Sequence, residues 1–415
     1  MRRTALLTAV TAGMLGALVL SACGGAAPDN TKVTFWDTSG PNEHPVFEKL
    51  AKDCATTGGY SVDVQQVSFD QALANYKTAA QNGQGPDVLR SEVGWVAQLA
   101  ANGLIQDLSG TDLAKNTSDF LDGPLGSTKY DGKTYAVPQV TDTLALLYNK
   151  KMLAAAGVPV PTTWDEVKAA STKLGLTRTL FINNDGYYAL PFIYAAGGDL
   201  LDVAAKKIVV NSAANVRGLQ DAKGLLDAKA AQTAQDQANS YNNMKAAFAS
   251  GQAAMVMDGP WAIVDLLKGE AFGDPANLGI AELPGERAGT GSGPLGGHDY
   301  VIRQGSRARD SAAKFVQCMS TVQAQVTTAK QLGLLPTRKS AYADPAVRGQ
   351  STVARFAPIV QKAHARPWVP AGSQLFDQLK IDYAYVLSGQ KDAKTALDEV
   401  AKTYKDQVVT DYSMG

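Results

Sequence analysis

The sequence predicts an α/β protein of two domains, and three observations carry that expectation. Strand-like and helix-like runs alternate from residue 32 to residue 101, the order that builds a mostly parallel sheet covered by helices. Without an amino-terminal export signal, roughly 390 residues remain, too many for one ordinary core and natural for two of about 150 to 200. A glycine-rich stretch, Glu286 to Gly297 (ERAGTGSGPLGG), can carry the chain from one domain to the other.

The first element is the export signal. Arg2 and Arg3 precede an apolar, uncharged segment from Thr4 to Leu20, which is the layout of a secretory signal. That segment falls short of the roughly 20 residues that span a bilayer with ordinary flanks. Leu20-Ser21-Ala22-Cys23 at its end resembles the bacterial lipobox, whose cysteine receives a diacylglycerol and becomes the new amino terminus. A plain signal cut after Ala22, with Cys23 incidental, is the alternative. The expected layout is a lipoprotein signal over 1–22 and a lipidated tether over 23–31. Two acyl chains hold a soluble domain stably on a membrane, so the protein is expected on the extracellular face of the cell membrane. The lipid would be its only membrane contact, since no later apolar segment approaches spanning length.

The folded part begins with Lys32 to Trp36 (KVTFW), a β-rich run that breaks at Asp37-Thr-Ser-Gly-Pro. Pro45 to Ala55 has apolar residues at helical spacing: Val46, Phe47, Leu50, Ala51 and Cys54. Tyr60 to Val67 alternates like a strand, Phe69 to Gln81 reads as a helix, and Asp87 to Arg90 as a short strand. Trp95 to Ala101 is a helix stopped by Asn102-Gly103. In such sheets ligands sit beyond the carboxyl ends of the strands, which directs attention to the loops at Asp37 and at Ser91-Glu92. Asp131-Gly132-Lys133-Thr134 reads as a hairpin turn. It lacks the glycine five residues earlier that a phosphate loop requires, where Ser127 stands. Thr143 to Tyr148 is a buried strand, and Thr162 or Thr163 caps a helix opening at Trp164. Residues 212–250, rich in alanine and glutamine, are expected to be helical.

Composition excludes some functions. Lysine plus arginine equals aspartate plus glutamate at 39 each, so the basic excess that nucleic acid demands is absent. The three histidines, His44, His298 and His364, have no metal-ligand spacing, and no zinc or serine-nucleophile motif occurs. No catalytic residue, metal or cofactor is therefore expected. A pair of glycosidase carboxylates, which can lie far apart in sequence, stays open.

The run Tyr130-Asp-Gly-Lys-Thr-Tyr-Ala-Val-Pro138, followed by Leu144 to Lys150, resembles a signature of extracellular solute-binding proteins of the maltose-binding type. Gly85-Pro86-Asp87-Val88, Pro161 to Val167, Phe248 to Met255 and Asp258-Gly-Pro-Trp261 follow the same family order. These are the capture components of sugar-importing ABC transporters. The resemblance implies two α/β lobes of the periplasmic-binding-protein type, joined by a hinge and closing on a ligand in the cleft between them. It implies crossings near Val140 to Thr143, Gly291 to Gly297 and Asp344 to Ser351. The amino-terminal lobe would hold 32–140 plus 297–345, and the carboxy-terminal lobe 141–296 plus 346–415. It further implies an oligosaccharide ligand, membrane permease subunits as partners and a monomeric chain.

A sugar presents hydroxyls around apolar C–H faces, so carboxylates, amides and flat aromatic rings suit it. Trp261 resembles the family's sugar-stacking tryptophan, with a core tryptophan as the bland alternative. Tyr187 resembles another stacking aromatic with Asp185 beside it, and Asp142 an acid at the lobe crossing. Asp37 and Glu92 occupy loops in which the family places sugar-binding groups. Trp95 falls near a position that is arginine in the best-known maltose binder, a departure that affects the hydroxyl contacts. Trp368 and Phe376 lie where the family contributes a further aromatic, and either could be core instead. Several aromatics suit maltose or a maltodextrin first, with trehalose or another oligosaccharide as alternatives. The implied topology also places the helices bearing Cys54 and Cys318 in one lobe. An oxidising compartment then favours a disulfide between them, against two buried free thiols.

Overall fold

The computed structural model describes residues 30–115, 117–175 and 179–415. The export signal, Cys23 and the tether up to residue 29 lie outside the described residues.

The first sheet has six strands, in the order Leu335–Pro336, Ala136–Asp142, Gly296–Ile302, Val88–Glu92, Lys32–Asp37 and Ser61–Gln66. The three strands nearest the amino terminus run parallel, and Gly296–Ile302 inserts antiparallel between Val88–Glu92 and Ala136–Asp142. Helix His44–Gly58 supplies the first crossover. Pro45 opens it without losing a needed donor, and Gly59 ends it in the left-handed region at φ 71°, its N–H bonding Ala55 O. Its Phe47, Ala51, Cys54 and Ala55 face Val33, Phe35, Phe315 and Val316. The sheet's other face is covered by Ala72, Tyr76, Trp95 and Leu99.

The second sheet orders Ala231–Thr233, Leu180–Ile182, Met255–Asp258, Ala145–Asn149 and Leu278–Ala281. Leu146, Leu147, Phe181, Val256, Phe192 and Phe248 fill its core. The chain leaves the first sheet at Asp142 and joins the second at Ala145, with only Thr143 and Leu144 between. It returns through 282–295. Helix Ser351–Val360 packs on strands of both sheets.

The expected hairpin is present. Lys129–Tyr130 pairs with Lys133–Thr134, and Asp131 and Gly132 take φ of 47° and 72°, as a type I′ turn requires. The expectation of helix across 212–250 needs correction. Helices Ala213–Asp227 and Ser240–Ala249 are separated by strand Ala231–Thr233. Pairing with Leu180–Ile182 extends the sheet, and that tertiary gain wins over the small helical propensity of alanine. Cys54 and Cys318 are joined by a disulfide, with their Cα atoms 5.8 Å apart. It links helix His44–Gly58 to helix Arg309–Met319.

Candidate functional site

The ends of three first-sheet strands meet at one place. Glu92 closes Val88–Glu92, Asp142 closes Ala136–Asp142, and Gly296 opens the antiparallel strand between them. Glu92 is held from two sides. One oxygen accepts the Gly94 N–H at 2.7 Å, capping the turn Val93–Trp95. The other pairs with the guanidinium of Arg366. Arg366 also donates from Nε to Leu295 O at 3.1 Å. Its guanidinium lies 5.6 Å from the Tyr187 ring centre and 5.3 Å from that of Trp368, within cation–π range.

Asp142 stands beside this pair. The Gly296 backbone comes so close that a Cβ there would lie 2.2 Å from Asp142 Oδ1 and 2.9 Å from the Tyr187 hydroxyl. Only glycine leaves room for both oxygens. Burial, and then the negative charge of Glu92, push the Asp142 carboxyl up to about 7, against the opposing pull of Arg366 and Arg90. Burial, and then Asp142, hold the Tyr187 phenol well above its ordinary value.

The second sheet contributes the aromatic side. Asp185 accepts the Tyr187 N–H at 3.0 Å, which starts the turn Gly186–Ala189. Its other oxygen faces Lys380 at 3.3 Å. Tyr187 lies 6.3 Å from Phe376 and 5.9 Å from Tyr188, centre to centre. Trp261 sits on the turn Pro260–Ala262, directly after strand Met255–Asp258. Its ring lies over Gly259, where a Cβ would come within 2.0 Å of it, and Nε1–H donates to the Tyr241 hydroxyl at 2.9 Å. Asp258, fully buried, accepts the Gly259 N–H at 2.8 Å. Burial pushes that carboxyl up to about 7.

The fold thus gathers Glu92, Asp142, Tyr187 and Trp368 near Arg366, with Phe376 against Tyr187. Asp185 positions Tyr187 from beneath. Trp261 stands one step away, connected through Tyr241, which lies 6.4 Å from Tyr188. Asp37 is placed differently. It is fully buried, and its oxygens accept from Ser39 N–H (3.0 Å) and Ser39 Oγ–H (2.7 Å) and meet His44 Nδ1 (2.7 Å). In this geometry it shapes the first loop and presents no free oxygen. The residues sequence reasoning passed over are Arg366, Gly296, Tyr241 and Asp258. Arg366 had one signal, its place directly before Pro367-Trp368; Asp258 stood in the Asp258-Gly-Pro-Trp261 run and Gly296 in the glycine-rich crossing, and Tyr241 had none.

Contacts also cross between loops of the two sheets. Asn42 Nδ2–H donates to Asp265, and Lys268 Nζ donates to Asn42 Oδ1 at 2.7 Å. Ser373 Oγ–H donates to Gln98 Oε1 at 3.1 Å. With Glu92–Arg366, these close the space between the sheets from more than one side.

Comparison with known proteins places the chain among sugar-binding receptors by family and fold. The model of a family described as bacterial extracellular solute-binding protein matches residues 49–356. The chain is 26% identical to a maltooligosaccharide ABC transporter solute-binding lipoprotein of Streptococcus pneumoniae, covering 98% of this chain and 97% of that one. It is 24% identical to a maltotriose-binding protein of Pyrococcus abyssi, over 91% of this chain and 82% of that one. Among solved structures, the GacH receptor of Streptomyces glaucescens, studied unliganded and with acarbose, is 40% identical with a TM-score of 0.87. That match covers 92% of this chain and 99% of the other.

Proposed function

This chain belongs to the bacterial extracellular solute-binding protein family, and we propose that within it the protein is the sugar-capturing component of an ABC importer. The observation that carries this reading is the centre where Glu92, Asp142 and Arg366 meet the rings of Tyr187 and Trp368. Charged acceptors and donors fix hydroxyl directions, while flat rings cover the apolar sugar faces. The relatives named for maltooligosaccharides and maltotriose, and the acarbose complexes of the GacH receptor, support a malto-oligosaccharide or a close analogue over trehalose.

In this reading 32–140 plus 297–345 form one lobe and 141–296 plus 346–415 the other, and the ligand favours the closed arrangement because it binds that arrangement better. Asp142, Glu92, Tyr187, Trp261, Trp368 and Phe376 touch the sugar, while Asp37 and Asp185 hold loops in place. Cys23 carries the lipid that keeps the receptor on the outer face of the membrane, beside its permease subunits, as a monomer without enzymatic activity. A thermal-shift screen of the mature chain against a sugar panel tests this, because a ligand that binds only the folded state raises its stability. Malto-oligosaccharides should raise the melting temperature and yield no new reducing ends. Turnover would favour a glycosidase instead.

A further inference from the structure

Asp258 is a fully buried acid that the capture of a sugar does not yet use. It ends strand Met255–Asp258, directly before the turn that carries Trp261. Its Oδ1 accepts the Gly259 N–H at 2.8 Å and the Tyr188 hydroxyl at 3.4 Å. Its Oδ2 is buried without a well-aligned donor. An acid isolated in this way is costly to the fold, so its role depends on what faces it.

Two hydroxyls and one cation face it. Tyr188 and Tyr241 both lower the pKa of the acid by hydrogen bonding, against the larger effect of burial. Donors that favour the charged form act in that direction. Lys245 adds positive charge from the same side. Its Nζ lies 4.7 Å from the Tyr241 ring centre and 3.7 Å from Asp265.

The donors give this chain a direction. An indole N–H can only donate, and that of Trp261 is spent on the Tyr241 oxygen at 2.9 Å. Tyr241 must then pass its own proton onward. The ionised Asp258 carboxylate accepts on both oxygens and stands beside it. The same carboxylate holds Tyr188, whose ring lies 6.4 Å from Tyr241 and 5.9 Å from Tyr187. One buried acid thus stands behind the rings on both sides of the aromatic wall.

We propose that Asp258 is a positioning residue for sugar capture, fixing through the Tyr241 hydroxyl the tilt of the Trp261 ring on which the sugar stacks. The proposal rests on the sugar-capture reading and adds the group that preorganises the ring before the ligand arrives. Asp258 itself touches no ligand. Asparagine tests this closely, because it keeps the shape and changes the donors. The Gly259 N–H requires an oxygen, so the amide NH2 must turn to Tyr241. The Tyr241 oxygen then meets two donors, and its own proton loses its acceptor.

The test is calorimetry with maltotriose on the mature, disulfide-bonded chain, at about pH 8.5 so that the acid is ionised. It compares wild type, Asp258→Asn, Tyr241→Phe and the double variant. Each single variant should bind about fivefold or more weaker, the worth of one hydrogen bond. The double variant should fall within about twofold of the weaker single, because both cut the same chain. Nitrogen–proton NMR of the indole N–H groups, without sugar, supplies a second readout. The Trp261 signal, assigned by its loss in Trp261→Phe, should move in Asp258→Asn, while those of Trp36, Trp95, Trp164 and Trp368 stay. Wild-type affinity in Asp258→Asn, single effects that multiply in the double variant, or a stationary Trp261 signal each overturns the proposal. If Asp258→Asn does not fold, Tyr241→Phe decides, and unchanged affinity there overturns it. A wild type that binds no sugar sinks the capture reading; a Trp261 signal that moves even then supports the link to Asp258, and a stationary one overturns it.

Discussion

Glu92 and Arg366, 274 residues apart in sequence, form an ion pair in which both side chains are largely withdrawn from water. The pair ties a strand end of the first sheet to the loop that carries Trp368, so it sets the distance between acids and rings. Removing one partner of a buried pair leaves the other uncompensated, which costs about 3 to 5 kcal/mol. Arg366→Met should lower stability on the order of 3 kcal/mol in denaturant titrations. Adding Glu92→Gln to that variant should recover part of the loss. A double variant as unstable as the sum of the two singles would mean the pair is not energetically coupled.

Trp261 presents a half-buried ring held by Gly259 and Tyr241. Trp261→Ala should weaken sugar binding about tenfold or more, a factor worth ~1.4 kcal/mol, while circular dichroism shows a folded chain. Unchanged affinity by calorimetry would remove this ring from the ligand contacts.

Gly296 offers a steric test of the same centre. In Gly296→Ala the new methyl must displace the Asp142 carboxylate, because a Cβ 2.2 Å from an oxygen cannot be accommodated. The expected outcome is at least a tenfold loss of sugar affinity in calorimetry. Normal affinity would show that Asp142 and Tyr187 can shift without consequence.

Buried acids predict how stability depends on pH. Burial pushes Asp299 up to about 8 from an ordinary 3.8, against the Ser127 hydroxyl that donates to one of its oxygens at 3.0 Å. Its other oxygen has no partner among the described residues. Asp258 is pushed up to about 7 in the same way. The folded chain therefore keeps protons that the unfolded chain releases, and stability falls as pH rises from about 4 to about 8. Asp299→Asn should flatten the upper part of that decline. Melting temperatures from pH 5 to 8.5 measure it, and a wild type that grows steadily more stable across that range would refute the assignment.

The disulfide between Cys54 and Cys318 closes a loop of 264 residues in sequence separation. Constraining so long a loop in the unfolded chain gives an expected loss of about 2 to 5 kcal/mol when Cys318→Ala breaks it. Thiol titration of the denatured, unreduced mature chain should find neither of these sulfurs reactive.

Sequence by itself determined the alternating elements and the order of the motifs. Apolar spacing in His44–Gly58, alternation in Ser61–Gln66 and the Asp131-Gly132 turn are local signals, set by side-chain period and by which residues tolerate positive φ. The residue types of the site were legible in part on the same terms, because Glu92 and Trp261 stand where strands end, while Asp142 was pointed to by the family resemblance alone. Tertiary structure alone decided which of them meet. Asp37 and Glu92 look alike as acids at strand ends, yet one is consumed by Ser39 and His44 while the other reaches Arg366. Strand Ala231–Thr233 exists only because Leu180–Ile182 offers it an edge, against the helical bias of its own neighbourhood. The physical reason is common to both cases. Propensity and period act over a few residues and are worth tenths of a kcal/mol each, whereas sheet pairing, burial and buried charge act between residues that only the finished fold brings together.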